Sequence, residues 1–163
     1  NARGQFMAPA ESISYNGSSA VPRPNLDATW YVTTQAASRS MIARGYGKIV
    51  SITMTPRRGL PGMSHSSAAR AGVESLTRTL SVEWGKYGIR TAAIAPGIVH
   101  TAAWENYGLD PDMMGSKMPT GRLQSADDVA SLVGFLVSPG GDYISGATIE
   151  ADGGFSNLYP IGP

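Results

Sequence analysis

Apolar residues recur at helical spacing in three stretches of the chain, and a short β-branched run follows each of them. The first stretch, 25–47 (NLDATWYVTTQAASRSMIARGYG), places Leu26, Trp30, Val32 or Thr33, Ala37 and Met41 about one turn apart and ends on glycines. The run 48–54 (KIVSITM) then reads as a strand, closed by the loop signal TPRRGLPG. The second helix spans 66–86, with Ala69, Val73, Leu76, Leu80 and Trp84 on one face and Gly88 as its stop. It leads into IRTAAIAPG (89–97), a buried-type strand cut by Pro96 and Gly97. The third helix opens on Ser125 as N-cap with acidic residues in its first turn, then carries Val129, Leu132, Val133 and Leu136. ATIEADGG (147–154) is the last strand. The N-terminal 14 residues and the span 98–124 read as loops, and the two prolines of 16–25 bar a regular helix until after Pro24.

Helix and strand in strict alternation predict an α/β fold around a parallel sheet. Three strands are few for a sheet covered on both faces. The chain also opens in mid-loop on Asn1. Residues 1–163 are therefore expected to be one partial domain, the second part of a larger α/β unit.

Composition narrows the function classes. Thirteen basic and twelve acidic residues give a net charge of +1, which offers no electrostatic footprint for nucleic acid or an anionic membrane. There is no cysteine, and the two histidines, His65 and His100, fall in no metal-ligand spacing, so neither a disulfide framework nor a metal site is expected. No apolar run approaches the roughly 18 residues of a membrane span, and the N-terminus has no signal-peptide pattern. A cytoplasmic protein with a small-molecule substrate is the expectation.

The segments NARG, NLDAT, GKIVSIT, AARAGVESLTRTLSVEWGKYGIRTAAIAPGIVHT and PTGRLQSADDVASLVGFLVSPGGDYISGATIEADGG, in this order and spacing, resemble the back two-thirds of the short-chain dehydrogenases/reductases. GQFMAPAESISYN, SVEWGKYGIR and HSSAAR lean toward the 2,4-dienoyl-CoA reductases of that family, which reduce conjugated thioesters with NADPH. The resemblance implies a Rossmann-like parallel sheet flanked by helices and an oxidoreductase activity. It puts Asn25 at the family's catalytic asparagine and Thr53 (or Met54) at its serine. Ser66 stands at the tyrosine position and Arg70 at the lysine position, where the family's lysine holds the nicotinamide ribose.

The same resemblance assigns Asn1, Ala2, Arg70, Pro96, Gly97, Ile98 and Thr101 to cofactor binding, with backbone after Pro96 meeting the nicotinamide carboxamide. Arg57 and Arg58 would lie near the substrate mouth, and Trp104, Tyr107 and Met113 to Met118 in the substrate loop. The family's Gly-x-x-x-Gly-x-Gly phosphate loop is not in the sequence, so NADP(H) or NAD(H) is expected only where that part is supplied, and otherwise no cofactor.

Two substitutions bear on chemistry. Serine is a far weaker acid than tyrosine, and arginine keeps the positive charge but cannot relay a proton. Ketone reduction by the family's usual route is disfavoured. Reduction of an enoyl or dienoyl thioester, where charge gathers on an oxygen that donors can stabilise, suits Ser66, Thr53 and Arg70 better. Two other readings stay open. One is a non-redox descendant that binds or transforms a small molecule without nucleotide. The other is a structural or regulatory subunit, since helices 26–43 and 66–86 resemble those of the family's homo-oligomer interfaces.

Overall fold

The computed structural model describes residues 6–55, 60–101 and 110–158. Three parallel strands, β1 (Gly47–Ile52), β2 (Ile89–Pro96) and β3 (Thr148–Ala151), form one sheet in the order β1-β2-β3. Gly47 pairs with Ile89 and Ile52 with Ile94, and β3 joins with Ala93 opposite Thr148 and Pro96 opposite Ala151. Ahead of β1 come α1 (Tyr15–Ala20), α2 (Ala28–Ala36) and α3 (Ile42–Arg44). Helix α4 (Ser64–Gly85) connects β1 to β2, while α5 (Pro111–Ser116) and α6 (Ala126–Val137) lie between β2 and β3. The alternation expected from hydrophobic spacing is the alternation the fold has.

Strand alternation divides the sheet into two unlike faces. Ala92 and Ile94 point to α6 and pack with Leu136, joined by Val50, Ile52, Leu132, Val133, Ile149 and Ala151. Ser51, Thr91, Ala93 and Ala95 point the other way and are buried on the side of α4. These small residues let the helix come close, and the Thr91 hydroxyl donates to the carbonyl of Thr77 at 2.8 Å. Fully burying Ile94 contributes about 2 kcal/mol, so the apolar face supplies most of the driving force and the small face the close packing.

The buried side of α4 differs from the one its apolar residues suggest. Ser66, Arg70, Val73, Thr77 and Leu80 are buried at spacings of four, three, four and three, with Ala69 beside them, whereas Leu76 and Trp84 are half-buried. A polar-lined stripe can be buried here because the sheet offers it carbonyl acceptors. Gly88 ends the approach to β2 at φ 71°, and a Cβ on it would lie 2.1 Å from the Gly45 carbonyl oxygen.

Two expectations for the N-terminal part are corrected. The segment before Pro24 holds a helix, α1, capped by Ser14, whose hydroxyl accepts from Gly17 N at 3.1 Å. The next helical run enters at Arg23, not after Pro24, through a π turn (Arg23–Asp27), and it carries a second π turn (Ala37–Met41) between α2 and α3. Pro24 is tolerated because the first N–H groups of a helix have no intrahelical acceptor. The π turns re-aim the expected face: Asn25, Thr33 and Ala37 are buried, while Trp30 and Val32 stay 54% and 62% exposed. Helix α5 likewise replaces part of the expected loop 98–124, with the Asp110 carboxylate accepting from Asp112 N and Met113 N. Among the described residues no helix is long and apolar enough to cross a membrane.

Ser125 caps α6 as its position predicts. Its hydroxyl accepts from Asp128 N while the Asp128 carboxylate accepts from Ser125 N, and the Arg122 guanidinium forks onto both oxygens of Asp128 at 2.7 and 3.0 Å. The Arg122 hydrogen bonds, followed by those from Ser125, hold the Asp128 carboxyl far below the usual carboxylate range. A depressed folded value stabilises the fold above the unfolded value of about 4, and that stability is lost as pH falls toward the folded value. Asp128→Asn is therefore expected to lower Tm by a constant amount above about pH 5 and by progressively less below pH 4. Thermal melts of both proteins across that range check it, and a gap that persists unchanged to the lowest pH overturns it.

Lys48 ties the two ends of the apolar layer together. Its ammonium, on a side chain only 7% exposed, donates to the carbonyls of Leu136 and Ser138 at 3.2 and 3.4 Å and pairs with Asp142 at 2.7 Å.

Candidate active site at the carboxyl ends of the strands

Parallel sheets bind ligands outside the carboxyl ends of their strands, and the expected site residues gather there. Thr53 follows β1 directly and is 3% exposed. Its N–H and its hydroxyl both donate to the carbonyl of Ile94, at 2.7 and 3.2 Å, and Thr55 repeats the pattern on Pro96 O at 3.1 and 3.1 Å. The ladder of β1 to β2 thus runs through alternate residues, and the carbonyl of Thr53 stands opposite Pro96, which has no N–H to offer.

Arg70 supplies the missing donor. Its Nη1 donates to Ile52 O at 2.7 Å and to Thr53 O at 3.3 Å, so one guanidinium nitrogen closes both carbonyls at the end of β1. The side chain is buried, no carboxylate pairs with it among the described residues, and Nε is buried without a partner. Burial pulls the guanidinium below its ordinary value. Arg70 and Thr53 are therefore in contact, as the family pattern implied, but through the Thr53 backbone and not its hydroxyl.

The other expected residues are placed as follows. Ser66 is fully buried, one turn before Arg70 on α4, with its hydroxyl 3.8 Å from the sulfur of Met54. Asn25 lies in the π turn ahead of α2, 3% exposed. Its amide nitrogen donates to Val21 O at 2.7 Å, while Oδ1 is buried with no partner. Pro96 closes β2, and Gly97 and Ile98 follow it at the strand end. A Cβ on Gly97 would meet Asp152 at 3.0 Å, so this turn is close to the end of β3. Thr101 is exposed. Asn1, Ala2, Arg57, Arg58, Trp104 and Tyr107 lie outside the described residues.

Beside the turn is a cavity of about 320 Å³, lined by Ile98, Leu132, Ala151 and Met118 on its apolar side and by Gln124 and Asp152 on its polar side. Neither polar residue stood out in the sequence. Gln124 holds the turn at three points: its side-chain oxygen accepts from Gly97 N at 3.0 Å, its N–H donates to Ile98 O at 3.1 Å, and its carbonyl accepts from His100 N at 2.8 Å. Burial pushes the Asp152 carboxyl up, but N–H groups of Ser156 and Gly154 at 2.8 and 3.0 Å outweigh it and leave the carboxyl below its ordinary value. A fixed backbone turn, a buried cation and an orphaned amide oxygen around strand ends can orient a polar planar group and stabilise negative charge developing near it.

A family model described as enoyl-(acyl carrier protein) reductase matches residues 2–156. A protein of Bacillus subtilis (strain 168) described as a probable 2,4-dienoyl-CoA reductase, (2E)-enoyl-CoA-producing, is 43% identical over 168 residues, a match covering 99% of this chain and 66% of that protein. Among solved structures, a short chain dehydrogenase from Bacillus anthracis superposes with a TM-score of 0.85 at 39% identity, over 100% of this chain and 64% of the other. A gluconate 5-dehydrogenase from Burkholderia cenocepacia, solved with NADP and tartrate, gives a TM-score of 0.87 at 31% identity over 98% and 64%. The chain thus spans just under two-thirds of the length of these relatives. By sequence and by fold together, the chain belongs to the short-chain dehydrogenase/reductase family.

Proposed function

We propose that residues 1–163 are the C-terminal portion of one Rossmann-like domain and carry the substrate side of an NADP(H)-dependent reduction of enoyl or dienoyl thioesters. The observation that carries this reading is Arg70, a cation buried at the end of β1 with no carboxylate beside it among the described residues. In a site of low dielectric, such a charge stabilises electron density gathering on a thioester oxygen without giving up a proton. Ser66, buried against Met54, offers no phenol-like acid, which suits a reaction whose proton comes from water. The outer edge of β1, unpaired among the described residues, is where the N-terminal part of such a domain would add a parallel strand.

The residues present fit the nicotinamide end of a dinucleotide. Arg70 Nε and Asn25 Oδ1 are buried with unspent hydrogen-bonding capacity, and the glycine turn after β2 leaves backbone close to the crevice. Pro96, Gly97, Ile98 and Thr101 would hold the carboxamide side, with Asn1 and Ala2 beside them, and Arg70 Nε would face the ribose. When bound, the nicotinamide supplies the hydride. Gln124 keeps the turn in shape, and Thr53 and Arg70 fix the end of β1 beneath it. Nothing in the sequence supplies the glycine-rich loop for the pyrophosphate, so tight binding requires that segment. Self-association through helices 26–43 and 66–86 belongs to the same reading, and Trp30, Val32 and Val82 are the exposed apolar side chains on them that a second copy would cover.

The test is consumption of NADPH, followed by its absorbance, with hexa-2,4-dienoyl-CoA against a 3-oxoacyl-CoA. Oxidation of NADPH with the dienoyl thioester and little with the ketone is expected. Faster ketone reduction overturns the thioester assignment, and substrate turnover without nucleotide, or none at all, overturns the redox one.

A further inference from the structure

His65 is a buried titratable group that the reading above does not use. It is 6% exposed, and neither ring nitrogen has a hydrogen-bond partner. The first turns of α4 hold other unspent polar atoms, Ser67 Oγ and Arg70 Nε, and Asn25 Oδ1 is a further one on the π turn that packs against this helix. Native proteins leave few buried polar atoms unpaired, and a concentration of them marks a place where a further polar group fits.

The surroundings narrow what that group is. The Phe6 ring lies over the imidazole, with centroids 4.4 Å apart and planes tilted by 37°. The hydrogen bond from Ala8 N to Gly62 O, at 2.9 Å, pins the segment that carries Phe6 to the turn before α4. Gly72 touches Leu26, since a Cβ on it would come within 2.8 Å of that side chain. His65 lies two helical turns before Gly72 on the same stripe of α4, on the side that faces the Asn25 turn. The imidazole is thus bounded by an aromatic ring on one side and the polar start of α4 on the other. That combination suits a flat, apolar group ending in a neutral oxygen better than a hydrated anion.

We propose that His65 contacts substrate directly: its ring N–H donates to the carbonyl oxygen of a bound acyl thioester, with Phe6 covering the conjugated chain. This rests on the thioester reading of the same site, and it assigns to the imidazole the hydrogen bond that Ser66, buried against Met54, would otherwise have to make.

With two histidines in the chain, an isotope-labelled sample gives two sets of imidazole signals, which His65→Gln assigns. Titration with hexa-2,4-dienoyl-CoA is expected to move the His65 ring signals in step with saturation and to leave those of His100 in place, while CoA alone moves neither. His65→Phe is expected to weaken Kd about tenfold, as the loss of one hydrogen bond to a buried acceptor does. If amide signals of Thr53 and Arg70 respond while the His65 ring does not, this proposal fails and the thioester reading stands. If no signal of the chain responds, both fail. The wild-type titration decides even where the phenylalanine variant does not fold.

Discussion

Arg70→Met is expected to destabilise the protein by about 3 kcal/mol, because the variant strips the donor from two buried carbonyls at once. Ile52 O and Thr53 O have Arg70 Nη1 at 2.7 and 3.3 Å. Thr53 O cannot turn to the neighbouring strand, since the residue opposite it is Pro96. Relief of the charge's own burial offsets part of the loss, which is why the figure lies below the sum of two fully orphaned carbonyls. For a chain of this size, Tm should fall on the order of 6–12 °C. Arg70→Lys keeps a charge and three donors but forfeits the planar fork, and it should lose about 1 kcal/mol. Were Arg70 instead a ligand-binding group with no structural duty, the methionine variant would keep its Tm and lose only ligand affinity. Thermal melts beside thioester titrations separate these outcomes.

That dual placement changes what the arginine means. At the family's lysine position, a side chain is expected to reach outward to a ribose. Here one arm of the guanidinium faces inward to finish a strand and only Nε remains unspent. A cation held this way is fixed by the fold before any ligand arrives, so its field acts without reorganisation during reaction.

The fold order was legible because it rests on local spacing. The apolar periodicity of 125–137 and the cap at Ser125 are short-range signals, and the structure shows both. What escaped was long-range or polar. Thr77 and Ser66 are buried on α4 because the opposing sheet face is made of Ser51, Thr91 and Ala93, and no periodicity of apolar residues announces that. The clamp by Gln124 reaches Gly97 across 27 residues, through a side chain that alone looks like any surface amide. Helix α1 was hidden by prolines that lie outside it, and the π turns by the regular helical spacing they interrupt. At the site, the family pattern located Thr53, Ser66 and Arg70 on neighbouring elements. Which atom of each is engaged follows only from the absence of an N–H at Pro96 and from the sulfur of Met54 beside Ser66.

Lys48→Met should cost about as much as Arg70→Met, roughly 3 kcal/mol, for a different reason. The Lys48 ammonium sits where α6 ends, and helix ends carry unsatisfied carbonyls and partial negative charge. It donates to Leu136 O and Ser138 O and pairs with Asp142, joining strand and helix ends 88 to 94 residues apart in sequence. Methionine fills the same stem volume, so packing against the apolar layer is kept and the loss is electrostatic. Asp142→Asn gives the contrast. The Asp142 side chain is 62% exposed and returns to water when unpaired, while the ammonium keeps both carbonyls, so its loss should stay within about 1 kcal/mol. Urea melts of the two variants test the ranking. Equal losses would mean that the ion pair, not the helix-end carbonyls, holds β1 to α6. Because Lys48 stands at the opposite end of β1 from Arg70, the two tie the strand at both ends, and the double variant should lose close to the sum of the single losses.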